Sequence, residues 1–139
     1  KDTDPNSTKK EGAELRNQNT QGVALASAAR TATAYSEILE NDFWRGVKVF
    51  IDVTASADTP SVTFTIQERD AVGKDFKDIL TSAAQTGAIA SPVVLTVYPG
   101  CVAVANTVLN EPLAREWRIK ATHADSDSIT YSVSYCYII

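Results

Sequence analysis

Side chains alternate in character through most of residues 45–139, and that rhythm restricts the fold more than any other feature. Val47, Val49, Ile51 and Val53 interleave with Lys48, Phe50, Asp52 and Thr54. Val62, Phe64 and Ile66 interleave with Thr63, Thr65 and Gln67, and Trp117, Ile119 and Ala121 with Arg118, Lys120 and Thr122. Near the end, Ile129, Tyr131, Val133, Tyr135 and Tyr137 alternate with Thr130, Ser132, Ser134 and Cys136. A repeat of two gives a strand one buried and one wet face, which marks antiparallel sheet and not helix.

Turn residues divide this rhythm. Asp58, Thr59 and Pro60 precede a strand over 62–69, and residues 70–74 form a hairpin loop with Gly73 placed for a positive φ. A short strand over 76–80 turns Phe76 and either Ile79 or Leu80 inward. Pro92 leads into a strand over 93–98, which Pro99 and Gly100 close. Asp125, Ser126 and Asp127 turn the chain between the last two strands. Residues 22–33 suit a first strand with Val23, Leu25, Ser27 and Ala29 on one side, although their alanine content also permits a helix. Residues 35–44 read as a long loop, and 101–113 as a connection with room for one helical turn. The expected fold is all-β: an antiparallel β-sandwich of about seven to eight strands, Ig-like or jelly-roll-like, with an extended N-terminal arm.

Composition separates that arm, residues 1–21, from a sandwich domain over 22–139. Lys, Asp, Asn, Ser, Thr and Glu dominate the first segment, where Leu15 is the one large aliphatic residue. Such a stretch cannot by itself bury enough apolar surface to offset its ordering entropy, so alone it is expected to be flexible, either as an ordinary mobile terminus or as an arm that orders on a partner. Extended, ~20 residues reach roughly 65 Å. A net charge of −4 argues against nucleic acid as a principal partner, because phosphate binding needs a cationic face. No apolar run approaches the ~18 residues of a membrane span, so no membrane partner is expected. The sequence contains no Met, from which a trimmed or processed start is expected.

Chemistry is sparse. His123 sits beside Asp125 and Asp127, but two carboxylates at a hairpin tip read as turn formers before metal ligands. Cys101 and Cys136 lack metal-ligand spacing; they can pair if the fold brings them together, and buried free thiols are the expected state. No Gly-rich phosphate cradle is present, and Gly73-Lys74 lacks a P-loop frame. Asn6-Ser7-Thr8 fits a glycosylation sequon. No enzyme activity, catalytic residue, cofactor or metal is expected. The tyrosines of the last strand read as core, whereas Phe43 and Trp44, in a loop, are candidate interface anchors.

Several segments together resemble small tailed-bacteriophage virion proteins of the capsid decoration, or cement, type. They are Arg45-Gly46-Val47 leading to Ile51-Asp52-Val53-Thr54-Ala55, Thr59-Pro60-Ser61 before Val62-Thr63-Phe64-Thr65-Ile66-Gln67, and the Val97-Tyr98-Pro99-Gly100 turn. Arg115-Glu116-Trp117-Arg118-Ile119 and Asp127-Ser128-Ile129-Thr130-Tyr131-Ser132-Val133 belong to the same pattern. The resemblance implies a β-sandwich on the outer capsid surface of a virion. Its partners would be the major capsid protein and neighbouring copies of itself, in a trimer by analogy, and its role the bridging and stabilising of capsomers. Candidate interface residues are Leu15 and Arg16 in the arm, with Phe43 and Trp44. The polar arm, the loop over 37–44 and the two cysteines depart from the family pattern. Two alternatives stand beside this one: a phage tail or head–tail completion component, and a carbohydrate- or receptor-binding sandwich module.

Overall fold

The alternating apolar residues meet between two stacked sheets. The computed structural model describes residues 18–139, so Leu15, Arg16 and the Asn6 sequon lie outside the described residues. The strands are β1 (Thr20–Arg30), β2 (Ala34–Tyr35), β3 (Leu39–Glu40), β4 (Gly46–Ser56), β5 (Val62–Arg69), β6 (Phe76–Thr81), β7 (Val93–Val97), β8 (Val108–Leu109), β9 (Glu116–His123) and β10 (Ile129–Ile138). One sheet has the order β1-β10-β4-β7-β8; the other runs β2-β9-β5-β6, with β3 also on β9. Seven of these strands have five residues or more and coincide with the seven segments read from the sequence. The other three have two residues each.

The pairings are nested. β5 pairs with β6, β4 with β7, β2 and β3 with β9, and β1 with β10, all antiparallel. The chain is thus one long hairpin rolled up on itself, which is the jelly-roll arrangement. Among the described residues, only β7 and β8 run parallel. Between the sheets, Val47, Val49, Ile51 and Val53 of β4 and Ile129, Tyr131 and Val133 of β10 are fully buried. They meet Val62, Phe64 and Ile66 of β5 and Trp117, Ile119 and Ala121 of β9. Phe64 and Tyr131 pack edge to face across the gap, 4.9 Å between centroids. Gly46 is buried where β4 begins, and any side chain there would run into the Val97 carbonyl.

Several expectations need correction. First, β1 does not alternate cleanly: register shifts between Val23 and Leu25 and between Leu25 and Ala28 turn Val23 out and Leu25 in. Second, residues 35–44 are not simply a loop. β2 and β3 form an interrupted edge on β9, and Ser36 bridges the break by accepting from the Ile119 N–H at 2.9 Å. Third, positive φ in the β5–β6 loop falls on Lys74 (φ 64) and not on Gly73, because the Lys74 N–H turns back to the Asp70 carbonyl. Fourth, Phe76 faces outward, its ring 3.6 Å from the Arg118 guanidinium, and Leu80 is the inward residue of β6. Residues 101–113 hold β8 and turns, one of them closed by the Val108 N–H on the Val104 carbonyl, and form no helix. Cys101 and Cys136 are unpaired, and both are half-buried where burial was expected.

The irregular half of β1 is held by one side chain. A bulge disrupts the ladder locally, and the Arg30 guanidinium donates to three carbonyls beside it: Ala26 at 2.6 Å, Ala28 at 3.3 Å and Tyr131 at 2.9 Å. It also lies 4.6 Å from the centre of the Tyr131 ring. Arg30→Ala should therefore destabilise the fold by about 1–2 kcal/mol in urea titrations, given the usual value of hydrogen bonds to charged groups. Arg30→Lys should recover only part of that loss, since a point-like ammonium cannot span three acceptors.

Candidate interface at the Trp44 end

Asn41 builds the corner that carries the two candidate anchors. The residue is buried, and its backbone N–H reaches the Arg115 carbonyl. Its side-chain oxygen accepts from the Trp44 N–H at 2.9 Å, while its amide donates to the carbonyls of Trp44 at 2.7 Å and Leu113 at 3.1 Å. An Asn carbonyl taking a backbone N–H a few residues on is ordinary turn chemistry, and here it sets the direction of both aromatic rings.

The two rings have different roles. Trp44 stacks flat on Tyr137, 4.5 Å between centroids at an interplanar angle of 7°. Tyr137 in turn receives the Trp117 Nε1–H at 3.1 Å and donates to the Glu40 carbonyl at 2.7 Å. Burial pushes the Tyr137 phenol up to about 12, so it stays a neutral donor at any ordinary pH. Trp44 thus caps the core. Phe43 packs edge-on against Trp44 at 5.3 Å and remains 43% exposed. Tyr35 on β2 and Ile38 just before β3 are exposed as well. Near Phe43, Arg115 bridges Glu40 and Asp42 at 3.3 Å each.

The chain enters the domain at this same end. The Trp44 indole N–H donates to the Gln18 carbonyl at 2.7 Å, and the Asn19 side chain accepts from the Ile139 N–H at 3.1 Å. β1 begins one residue later, at Thr20. Of the four candidate interface residues, Phe43 and Trp44 are thus brought together with the start of the described chain; Leu15 and Arg16 lie outside it. The sequence reading did not single out Asn41. Its signal was present: an asparagine three residues before a tryptophan, in a stretch too short for a helix.

His123 and the nearby carboxylates belong to the opposite end. Asp125 accepts from the Asp127 N–H at 3.0 Å, and Asp127 accepts from the N–H and hydroxyl of Thr59, which is turn chemistry as expected. His123 Nε2 shares a hydrogen bond with the Tyr131 hydroxyl at 2.9 Å, while its Nδ1 is buried and unpartnered. Among the described residues no group of three His, Cys, Asp or Glu side chains could hold a metal ion, and no helix is long and apolar enough to cross a membrane. Elsewhere, burial raises the Glu68 carboxyl above its ordinary pKa although it accepts from the Ala114 N–H at 2.7 Å.

Asn41→Ala should cost about 1–3 kcal/mol, the range for leaving buried polar groups unsatisfied. Trp44 fluorescence should shift to the red and quench more readily, while the far-UV circular dichroism stays that of a sheet. A second expectation concerns pH. Burial lowers the His123 pKa from its ordinary 6.5, Asp125 opposes the shift and Arg30 adds to it. The unfolded chain therefore takes up a proton that the folded chain resists, and stability falls as pH drops through 6.5 and below. Urea titrations between about pH 7 and 5, above most carboxylate titration, should show this slope, and His123→Gln should reduce it.

No protein-family model matches the chain, and no curated protein matches it. A solved structure described as "Structure of infectious bursal disease virus Gx strain" aligns with a TM-score of 0.46 and 13% identity, over 86% of this chain and 31% of that one. The chain therefore spans about a third of the length of the one it matches. Likeness of this degree carries no argument about function.

Proposed function

We propose that this chain is a bacteriophage virion structural protein, a capsid decoration or cement protein that binds the major capsid protein on the outer capsid surface and bridges capsomers. The observation that carries the reading is the junction at Gln18. The segment that composition marks as unable to order alone joins the sandwich beside Trp44, next to the exposed Phe43 ring. An arm and an aromatic anchor sharing one end can engage the same surface, and an exposed aromatic beside charged residues has the make-up of an interface centre.

Three further points support it. The resemblance to decoration proteins runs through turns that fall between strands here, such as Pro99-Gly100. Jelly rolls recur in viral capsid and lectin domains, an association that raises the prior without assigning a role. The sandwich is a stiff body with little catalytic equipment, as a bridging subunit requires; modest contacts suffice where many copies act together. The virion is accordingly the proposed location, with neighbouring copies as further partners and no enzymatic activity.

The test is quantitative mass spectrometry of purified particles, combined with rebinding of the full chain and of a variant lacking residues 1–17. Capsid-like abundance and a large loss of rebinding on truncation are expected, with the truncated domain still folded because β1 begins at Thr20. A handful of copies per particle would point to the tail or head–tail alternative. Absence from particles together with a positive glycan array would favour the carbohydrate-binding one. Unchanged occupancy after truncation would remove the arm from the account.

A further inference from the structure

The outer face of the β4 sheet carries a pattern the core does not require. β4 is the central strand of its five-stranded sheet, and its outward residues run Lys48, Phe50, Asp52. The inward residues of the same strand, Val47, Val49, Ile51 and Val53, supply its share of the core. Register places Phe50 between Ser134 of β10 and Val94 of β7, and Ser134 beside Val23 of β1. A row broken only by a serine therefore crosses the solvent side of four strands, with Val23 65% and Val94 36% exposed. A shallow groove along it is lined by Gln21, Val23, Phe50, Ser134 and Cys136, among others. Among the described residues, neither Lys48 nor Asp52 has an ion pair or a side-chain hydrogen bond.

Cation, aromatic, anion is an order that complements itself. Alternate residues of a strand are ~6.7 Å apart, so the ammonium and the carboxylate flank Phe50 at equal spacing. We propose that this face is an isologous contact with a second copy of the chain. The two-fold axis runs along the Val23–Ser134–Phe50–Val94 row, between the two facing sheets. Around that axis the row meets itself and β4 lies antiparallel to its copy. Lys48 then faces Asp52 of the second copy at one side of Phe50, and Asp52 faces Lys48 at the other. A foreign partner would need no such palindrome. The charge order is what selects a second copy.

Size sets the expected strength. Four strands at ~4.8 Å spacing and about six residues of length cover roughly 400 Å² in projection. Stable complexes bury about 800 Å² on each partner, so this contact is weak in free solution and fills where copies are concentrated. The contact stands independently of the virion reading, since it needs only two copies of the chain.

The test is sedimentation equilibrium of the full chain up to about 1 mM, the weak end of measurable association. A reversible monomer–dimer equilibrium is expected. Lys48→Asp sets a carboxylate against Asp52 of the second copy at both sides of the axis, and should weaken the dimer by about tenfold or more. Asp52→Lys should do the same with two cations. The double variant Lys48→Asp/Asp52→Lys restores the order in reverse and should recover the wild-type dimer. All these positions face away from the core, so circular dichroism should be unchanged and loss of folding will not mask the result. A chain that stays monomeric throughout, association indifferent to both single reversals, or a double variant no better than the singles overturns the proposal.

Discussion

The last strand of the chain lies inside a sheet, and the rest of the molecule is arranged around it. β10 pairs with β1 on one side and β4 on the other, so Tyr137 stands opposite both Thr20 and Val47. Both partners are distant in sequence, so loop-closure entropy must be met before either ladder yields stability. The inward residues of β10 answer that cost in two ways. Ile129, Tyr131 and Val133 are fully buried, and Tyr137 almost so. Two of the tyrosines also carry a hydroxyl across to the other sheet, Tyr131 to His123 and Tyr137 to Trp117 and Glu40. An even spacing of six residues puts both hydroxyls on the inner face, so the period that buries the strand also aims its polar tips.

The sandwich was legible in the chain because burial on one face writes itself into a repeat of two. β4, β9 and β10 carry that repeat in their buried residues. In β5, Val62, Phe64 and Ile66 keep it although Thr65 and Gln67 on the other face are buried as well; the inner residues of all four are readable one by one. What was illegible depends on partners distant in sequence. The reversal of faces in β1 comes from two register shifts against β10, and Arg30 repairs the second by reaching carbonyls of both strands. Nothing local to Ala26 and Ala28 announces this. The β2–β3 edge reads as a loop in the sequence because strands of two residues have no period to detect; they exist through β9 and the Ser36 hydroxyl. The candidate interface was half legible. Phe43 and Trp44 were visible as aromatics outside the rhythm, but the stacking that makes one a core cap and leaves the other exposed needs Tyr137, which lies almost a hundred residues on.

The Trp44 corner also determines how the beginning of the chain is coupled to the domain. Besides the backbone into β1, a load on residue 18 is carried by the hydrogen bond that the Trp44 indole donates to the Gln18 carbonyl, a flat stack of Trp44 on Tyr137, and the hydrogen bond that the buried Trp117 donates to the Tyr137 hydroxyl. Each link is modest; an aromatic pair adds about 0.5–1.5 kcal/mol beyond its buried area. In series they tie the chain's entry to a residue with no exposed surface, in a sheet the entering strand does not belong to. A segment joined this way does not simply peel β1 from its edge.

That coupling bears on which surfaces can act together. The Trp44 corner, where residue 18 meets the domain, is at one end of the sandwich, whereas the Lys48–Phe50–Asp52 row lies on a broad face, on the strand that begins two residues after Trp44. Both are carried by the same segment of chain: Asn41 holds its beginning, and ladders to β10 and β7 hold its continuation. An end contact and a face contact on one stiff strand have a fixed relative geometry. Two copies joined across the face would then present their Trp44 ends in opposite directions, because the strands run antiparallel about the axis. A pair so arranged is a double-headed body, and linking separated sites with it calls for no flexible element within the sandwich itself.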